Sequence, residues 1–478
     1  MTKDKKKNIL AIDCGNSSVR VVLGEFDGSS FKTTLVSQTA HREIQIAGVW
    51  HWDILFIFDQ IKQGIKKAHT LCGRIDTAGI STWGIDHGLI GEGKLLTANP
   101  LCYRNVFGQE GLAPLTAEER RFMFDKTGIL CDKINTVFQI LGYRQRYPHY
   151  WAGAKRLLLI PDLLNFLLTG EENTDVSIAS TTQLFDVVNN RYATEIFEKF
   201  SIDPGLFPPA VDHGKARGTL RQEISDELGV NRFDIVSVPA HDTAAAVAAI
   251  PVAASEDMPL FVSSGTWSLV GIELATPLVN DRVYAANLAN EAGILGTTTL
   301  LKNSAGLFIA QRLKKECDLS SGVKSWDDIV SAIDMTADNP GFIDPNAEDF
   351  FNPPSMREAI ALYLARNGGR EPASDAEYFR VVYESLAVSY RDVLDSIEAI
   401  AGKRYDTLHI IGGGSKNILL NRIAAATLGK TVIAGPVEAT SLGVLGSQLL
   451  YDGSASGLSD IRRILSASAE STVYEPGR

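Results

Sequence analysis

Two aspartates in this 478-residue chain stand where phosphoryl chemistry would use them. Asp242 follows the apolar run 233–238 and opens the small-residue stretch Thr243-Ala244-Ala245-Ala246. That places its carboxylate at the carboxyl edge of a sheet, where open α/β folds bind ligands. There it can take the proton of a hydroxyl that attacks the terminal phosphate of a nucleotide. An aspartate at a helix start also caps backbone N–H groups, so the local sequence leaves both roles open. His241 reads as its hydrogen-bonding neighbour. Asp13 closes the apolar run 9–12 and precedes Cys14-Gly15-Asn16-Ser17-Ser18. It reads either as a carboxylate associated with Mg2+ through water, since magnesium keeps most of its hydration shell, or as an Asx-turn residue.

The segment around Gly15 has a counterpart. Leu10 to Val19 and Leu260 to Leu269 each run from an apolar stretch through a glycine turn into a second apolar stretch. Both read as β-hairpins whose tips expose backbone N–H groups to phosphate oxygens. Gly15, Asn16, Ser17 and Ser18 form one tip; Gly265 and Thr266 belong to the other. Two copies, one in each half, predict two related domains facing one anion in a phosphoryl-transfer cleft. Ser263 stands where the first copy has Asp13, which suits one metal serving two phosphate loops. Trp83-Gly84 with Asp86 reads either as a sugar platform, with an aromatic wall and a hydroxyl acceptor, or as a strand end with a core tryptophan. Gly412-Gly413-Gly414 allows close approach of a base or ribose, or is simply a helix-entry turn.

The elements that must hold these residues alternate between strand and helix, so the class is α/β. Strands are expected over 9–12, 19–23, 75–80, 233–238, 407–411 and 431–434, and helices over 54–68, 244–249, 376–401 and 416–428. Residues 116–200 are helical by period and read as an insertion carrying substrate contacts. The connector 251–258 divides the chain into domains 1–250 and 251–478. A length of 478 residues favours two or three domains. The formal net charge of −11 argues against nucleic-acid or anionic-membrane partners. No apolar signal core or spanning run appears, so a cytoplasmic protein is expected. The five scattered cysteines resemble neither a disulfide framework nor a zinc site.

With these residues in place the chain resembles the FGGY carbohydrate kinases of the actin/hexokinase/heat-shock ATPase superfold, most closely their rhamnulokinase branch. The likeness runs through Trp52-Asp53, Thr82-Trp83-Gly84-Ile85-Asp86, Tyr103-Arg104, Leu168-Thr169-Gly170 and Ala179 to Leu184. It continues through His241 to Ala244, Ser263 to Leu269, Ala286-Asn287, Asn290-Glu291, Lys302-Asn303, Gly306 and Gln311. It ends with Gly412 to Gly414, Asn417 and Ala434 to Ala439. The resemblance implies two ribonuclease-H-like domains around a central cleft that closes to exclude water. It implies ATP and Mg2+ as cofactors and a ketose acceptor, L-rhamnulose before L-fuculose or L-xylulose, in a monomer or homodimer. By the same resemblance Asp242 is the proton acceptor, with Gly84, His241 and Thr243 at the sugar. Gly15 to Ser18, Thr266, Asn303, Gln311, Gly413 and Gly414 would hold the nucleotide. Asn105, Cys14, Ala289, Ala292 and Val444 depart from the family pattern, and Asn105 and the two alanines bear on the sugar pocket. A non-catalytic actin-like ATPase or sugar sensor is the reading from another class, and Asp242 argues against it.

Overall fold

The computed structural model describes residues 6–252 and 258–477, so part of the expected connector 251–258 lies outside the described residues. By contact density the chain forms two compact units. The first comprises Met1–Asp257, Glu273–Leu300 and Ala439–Ala469; the second comprises Met258–Ile272, Leu301–Glu438 and Glu470–Arg478. The units are thus woven from interleaved segments, where continuous halves were expected. The cause is that the helix Ala439–Ser447 packs on the helix Asp242–Ala248, with Gly443 letting the two backbones touch.

The first unit is built on strand Lys7–Cys14, whose continuous apolar run suits a position covered on both faces. It pairs antiparallel with Ser18–Phe26, which pairs antiparallel with Phe31–Ala40. On its other side lie Thr77–Thr82 and then Asp234–Val236, both parallel, and finally Ala216–Thr219, antiparallel. The helix Ile54–Cys72 covers this sheet. Asp53 caps its start by accepting from the Phe56 N–H at 3.1 Å, and Gly73 ends it at φ 72°. Ile54, Ile57, Ile61, Ile65 and Ala68, at helical spacing, are all fully buried, the larger ones each contributing about 1.5–3 kcal/mol.

The second unit repeats this plan. Leu260–Ser264 pairs antiparallel with Trp267–Leu274 and parallel with Thr407–Ile411, which pairs parallel with Thr431–Ala434; antiparallel Thr472–Tyr474 follows. The long helix Asp375–Ala401 is capped by Ser374, which accepts from the Glu377 N–H at 3.3 Å. The two expected related α/β domains are therefore present as one strand order used twice.

Strands 407–411 and 431–434 fall where expected. The expected strand 75–80 is shifted to Thr77–Thr82, because Ile75 is buried in the preceding connection. The expected helix 416–428 begins at Ile418, after a 3-10 turn over Gly413–Lys416 that Asn417 terminates by capping. Residues 116–200 hold helices Ala117–Thr127 and Thr136–Arg146 in a separate apolar core, and helix Ile160–Thr169, whose Ile160, Leu163, Leu164, Phe166 and Leu168 join the core of the first sheet instead. They also hold short strands, among them Arg156–Leu159. The partly buried edge strand Phe31–Ala40 is not signalled by sequence, since its polar residues dilute the alternation. Among the described residues, no helix is long and apolar enough to cross a membrane, and all five cysteines are free.

Candidate active site

In the first unit three parallel strand ends lie side by side. Asp13 pairs with Ser81 and Cys14 with Thr82, and Thr82 bridges to His241. At about 4.8 Å per strand, one sheet edge gathers Asp13, Trp83, Gly84, His241 and Asp242. The adjacent Thr440 and Ser441 clasp it. The Ser441 hydroxyl donates to Asp13 Oδ2 at 2.9 Å and the Thr440 hydroxyl to the Asp242 carbonyl at 3.3 Å.

The first hairpin ends at the pair Cys14–Val19. His41 pins its tip, with Nε2 2.9 Å from the Gly15 carbonyl and its N–H donating to the Ser17 carbonyl at 3.0 Å. The Gly15 N–H is spent within the turn, donating to the Ser18 carbonyl at 3.0 Å. The expectation that this N–H is open to phosphate is therefore corrected; Asn16 and Ser17 are the exposed residues of the tip and Ser18 is buried. Asp13 is buried, and Arg20 Nη1 stands 3.7 Å from its Oδ2.

Asp242 is the first residue of a seven-residue helix, and its side chain keeps 32% of its surface. Burial holds its carboxyl above the ordinary range, against the pull of His241. The Thr243 hydroxyl donates to Asp242 Oδ1 at 3.2 Å. His241 has Nε2 3.5 Å from Asp242 Oδ1 and Nδ1 3.4 Å from Glu291 Oε2. Burial alone would depress the imidazole, but the Glu291 and Asp242 carboxylates outweigh it and raise it. The backbone of this segment rests on a buried carboxylate. The Ala240 N–H donates to Asp175 Oδ1 at 3.0 Å and the His241 N–H to Ser177 Oγ at 3.1 Å. His213 Nε2 lies 2.7 Å from Asp175 Oδ2, and the Ser177 hydroxyl also donates to Asp175.

Trp83 does not form an open wall. It is 4% exposed and joins the core, its ring 4.4 Å from that of Trp52. Asp86, fully buried, accepts both indole N–H groups, from Trp52 at 2.6 Å and Trp83 at 3.0 Å. The aromatic-wall reading of Trp83 thus gives way to a core pair with Trp52; the two indoles take Asp86 Oδ2 alone, and its buried Oδ1 accepts no hydrogen bond among the described residues. Burial pushes Asp86 up to about 7 against the indole hydrogen bonds. Gly84 is buried against Thr181, which would stand 3.0 Å from an added Cβ. Asn105 is likewise occupied. Its amide accepts from the Trp50 N–H at 2.9 Å and donates to the carbonyls of Trp50 at 2.8 Å and Cys102 at 2.9 Å. It stitches the backbone at Trp50 to that at Cys102.

In the second unit the hairpin ends at Ser264–Ser268, one residue tighter than the first. Here too the glycine N–H is spent, Gly265 donating to the Trp267 carbonyl at 2.9 Å. Thr266 is exposed at the tip. The N–H groups of Leu307 and Phe308 donate to the carbonyls of Gly265 and Thr266 at 3.0 and 3.2 Å, so the start of helix Phe308–Ser321 braces the tip. A side chain at Gly306 would meet the Thr266 carbonyl oxygen at 2.6 Å. Asn303 and Gln311 are exposed on the flanking strand and helix. Gly414 touches Ser264 so closely that a Cβ would lie 1.9 Å from its Oγ, whereas Gly413 is exposed with nothing within 4 Å of its Cβ position.

Reading the sequence missed Asp175, His213 and Ser441, and assigned no role to Glu291. Glu291 sits in the Asn290-Glu291 run, a signal available from resemblance alone.

Models of the FGGY family of carbohydrate kinases match the chain, the N-terminal domain over residues 8–249 and the C-terminal domain over residues 260–450. A Bacteroides thetaiotaomicron protein named rhamnulokinase is 33% identical over 474 residues, covering 98% of this chain and 96% of that one. Among solved structures, a xylulose kinase from Lactobacillus acidophilus superposes with a TM-score of 0.79 at 16% identity, covering 98% of this chain and 94% of that one. A gluconate kinase from Lactobacillus acidophilus does so at 0.79 and 16%, covering 99% and 94%. The fold is the two-domain α/β fold of the actin/hexokinase kind. The chain belongs to the FGGY family of carbohydrate kinases and is a sugar kinase.

Proposed function

We propose that the chain is a cytoplasmic, ATP- and Mg2+-dependent ketose kinase that phosphorylates O1 of L-rhamnulose. In this reading the acceptor hydroxyl oxygen forms a bond to the γ-phosphorus as the bond to the β,γ-bridging oxygen breaks and ADP leaves. Asp242 takes the hydroxyl proton. The observation that carries the reading is Asp242 itself: a partly exposed carboxylate at the carboxyl edge of the parallel strands, with His241 Nε2 3.5 Å from its Oδ1. The 33% relative supports L-rhamnulose as the acceptor. His241, Thr243 and Gly84 would face the sugar. The hydroxyl and amide groups of Asn16, Ser17, Ser18, Thr266, Asn303 and Gln311, with the turns at Gly15, Gly265, Gly413 and Gly414, would hold ATP.

The residues present suit Mg2+ bound through water. Among the described residues no cluster of three or more His, Cys, Asp or Glu side chains forms a metal cage. A nucleotide-borne magnesium needs only one or two carboxylates beside the phosphates, which Asp13 would supply. When bound, the ion would offset charge on the phosphate oxygens. A coupled ADP-release assay over L-rhamnulose, L-fuculose, L-xylulose and D-xylulose tests the reading. L-Rhamnulose should give the highest kcat/KM, with the others trailing by about one to two orders of magnitude. Another ketose in first place would refute the substrate.

A further inference from the structure

His241 is held between two carboxylates, and the second of them has no part in the reading above. Nε2 faces Asp242 Oδ1 at 3.5 Å and Nδ1 faces Glu291 Oε2 at 3.4 Å. These are ion-pair distances without hydrogen-bond alignment in the resting arrangement. Ionised carboxylates only accept hydrogen bonds, so an imidazole with one at each nitrogen is satisfied only as a donor on both sides. Water competes weakly, since the Glu291 and His241 side chains keep only 15% and 10% of their surfaces. Glu291 is fixed in place. Its carbonyl accepts from the Thr299 hydroxyl at 3.3 Å and the Ala292 N–H donates to Ser180 Oγ at 3.0 Å. The Asn290 amide bonds the Gly128 carbonyl at 3.2 Å and the Leu278 carbonyl at 2.9 Å.

We infer that Glu291 is a positioning residue for phosphoryl transfer: it holds His241 with a proton on each ring nitrogen, so that Nε2–H faces Asp242. This rests on the reading of Asp242 as proton acceptor. The imidazolium keeps the partly buried Asp242 carboxylate ionised and oriented until the acceptor hydroxyl releases its proton. The other groups facing this histidine do not replace Glu291. Asp175 is engaged by His213, Ser177 and the Ala240 N–H, and Thr243 donates to Asp242. The raised imidazole agrees with this arrangement.

The test compares wild type with Glu291→Gln and Glu291→Asp by kcat against pH and by NMR titration of the histidine ring protons. The His241 signal is assigned by its loss in His241→Gln. Glu291→Gln should lower kcat about tenfold, leave the KM values for ketose and ATP within about threefold, and move both the alkaline limb of kcat and the His241 titration to lower pH. Glu291→Asp should recover part of each. A pH profile in Glu291→Gln that scales down without moving, with an unmoved His241 titration, overturns the inference. If Glu291→Gln does not fold, Glu291→Asp decides: its shorter side chain should lower the titration, and no change overturns the inference. If wild type phosphorylates no ketose, the proposed function fails, while the NMR titration still decides whether Glu291 charges His241.

Discussion

The Ser441 hydroxyl donates to Asp13 Oδ2 at 2.9 Å across 428 residues of sequence. The neighbouring Thr440 bonds the Asp242 carbonyl. One helix start from the end of the chain therefore fixes both aspartates on which the proposed chemistry depends. The first unit acquires its site only when residues 439–469 return to it.

Asp242→Asn keeps the shape of the side chain and removes its ability to take a proton. Turnover should fall by roughly 10²–10⁴, with the KM for ATP little changed. Steady-state kinetics at saturating ketose checks this, and near-wild-type kcat would rule Asp242 out as the base.

Thr266→Val removes a hydroxyl from the exposed second tip at nearly constant volume. If that hydroxyl bonds a phosphate, binding weakens by roughly 1.5–3 kcal/mol, read as a rise in the KM for ATP. Gly306→Ala should act on the same tip, since its Cβ would sit 2.6 Å from the Thr266 carbonyl oxygen and push the hairpin away. Both variants should weaken ATP more than ketose. Calorimetric titration with ADP measures this, and unchanged affinity in both would remove the tip from the nucleotide site.

Asn105→Asp turns a donor into an acceptor facing the Trp50 and Cys102 carbonyls. Two hydrogen bonds become repulsive contacts, at a cost of about 1–3 kcal/mol for each unsatisfied group. The melting temperature should fall while the order of ketoses by kcat/KM stays the same. A reordered panel without a loss of stability would make Asn105 a specificity residue after all.

Two buried carboxyls should bend the stability curve in opposite directions. Asp86 is pushed by burial from 3.8 to about 7, so the folded state keeps a proton that the unfolded chain releases. Stability contributed this way is present below about pH 4 and lost as pH rises through about 7. Asp175 is also pushed up by burial, but His213, Ser177 and the Ala240 N–H override it and lower it to about 2. Its contribution is present above about pH 4 and lost as pH falls towards about 2. Melting temperature against pH should lose the first slope in Asp86→Asn and the second in Asp175→Asn. Unaltered slopes would refute the assignment.

The carboxyl edge carrying Asp13 and Asp242 was legible in the sequence because each follows an apolar run and precedes small residues. That pattern is local and fixes strand, turn and helix start by period alone. The doubling of the hairpin was legible for the same reason, and one strand order does serve both units. Sequence by itself could not show that Trp83 turns inward, because a tryptophan at a strand end reads alike whether its indole N–H meets solvent or Asp86. Only the packing of Trp52, some 30 residues earlier, against Trp83 decided that. Nor could it show that Glu291 reaches His241, that Asp175 and His213 brace the peptide before Asp242, or that Ser441 reaches Asp13. Each of these contacts joins segments on different elements, and a polar side chain's partner is set by which strand ends the topology brings side by side, which no local period encodes.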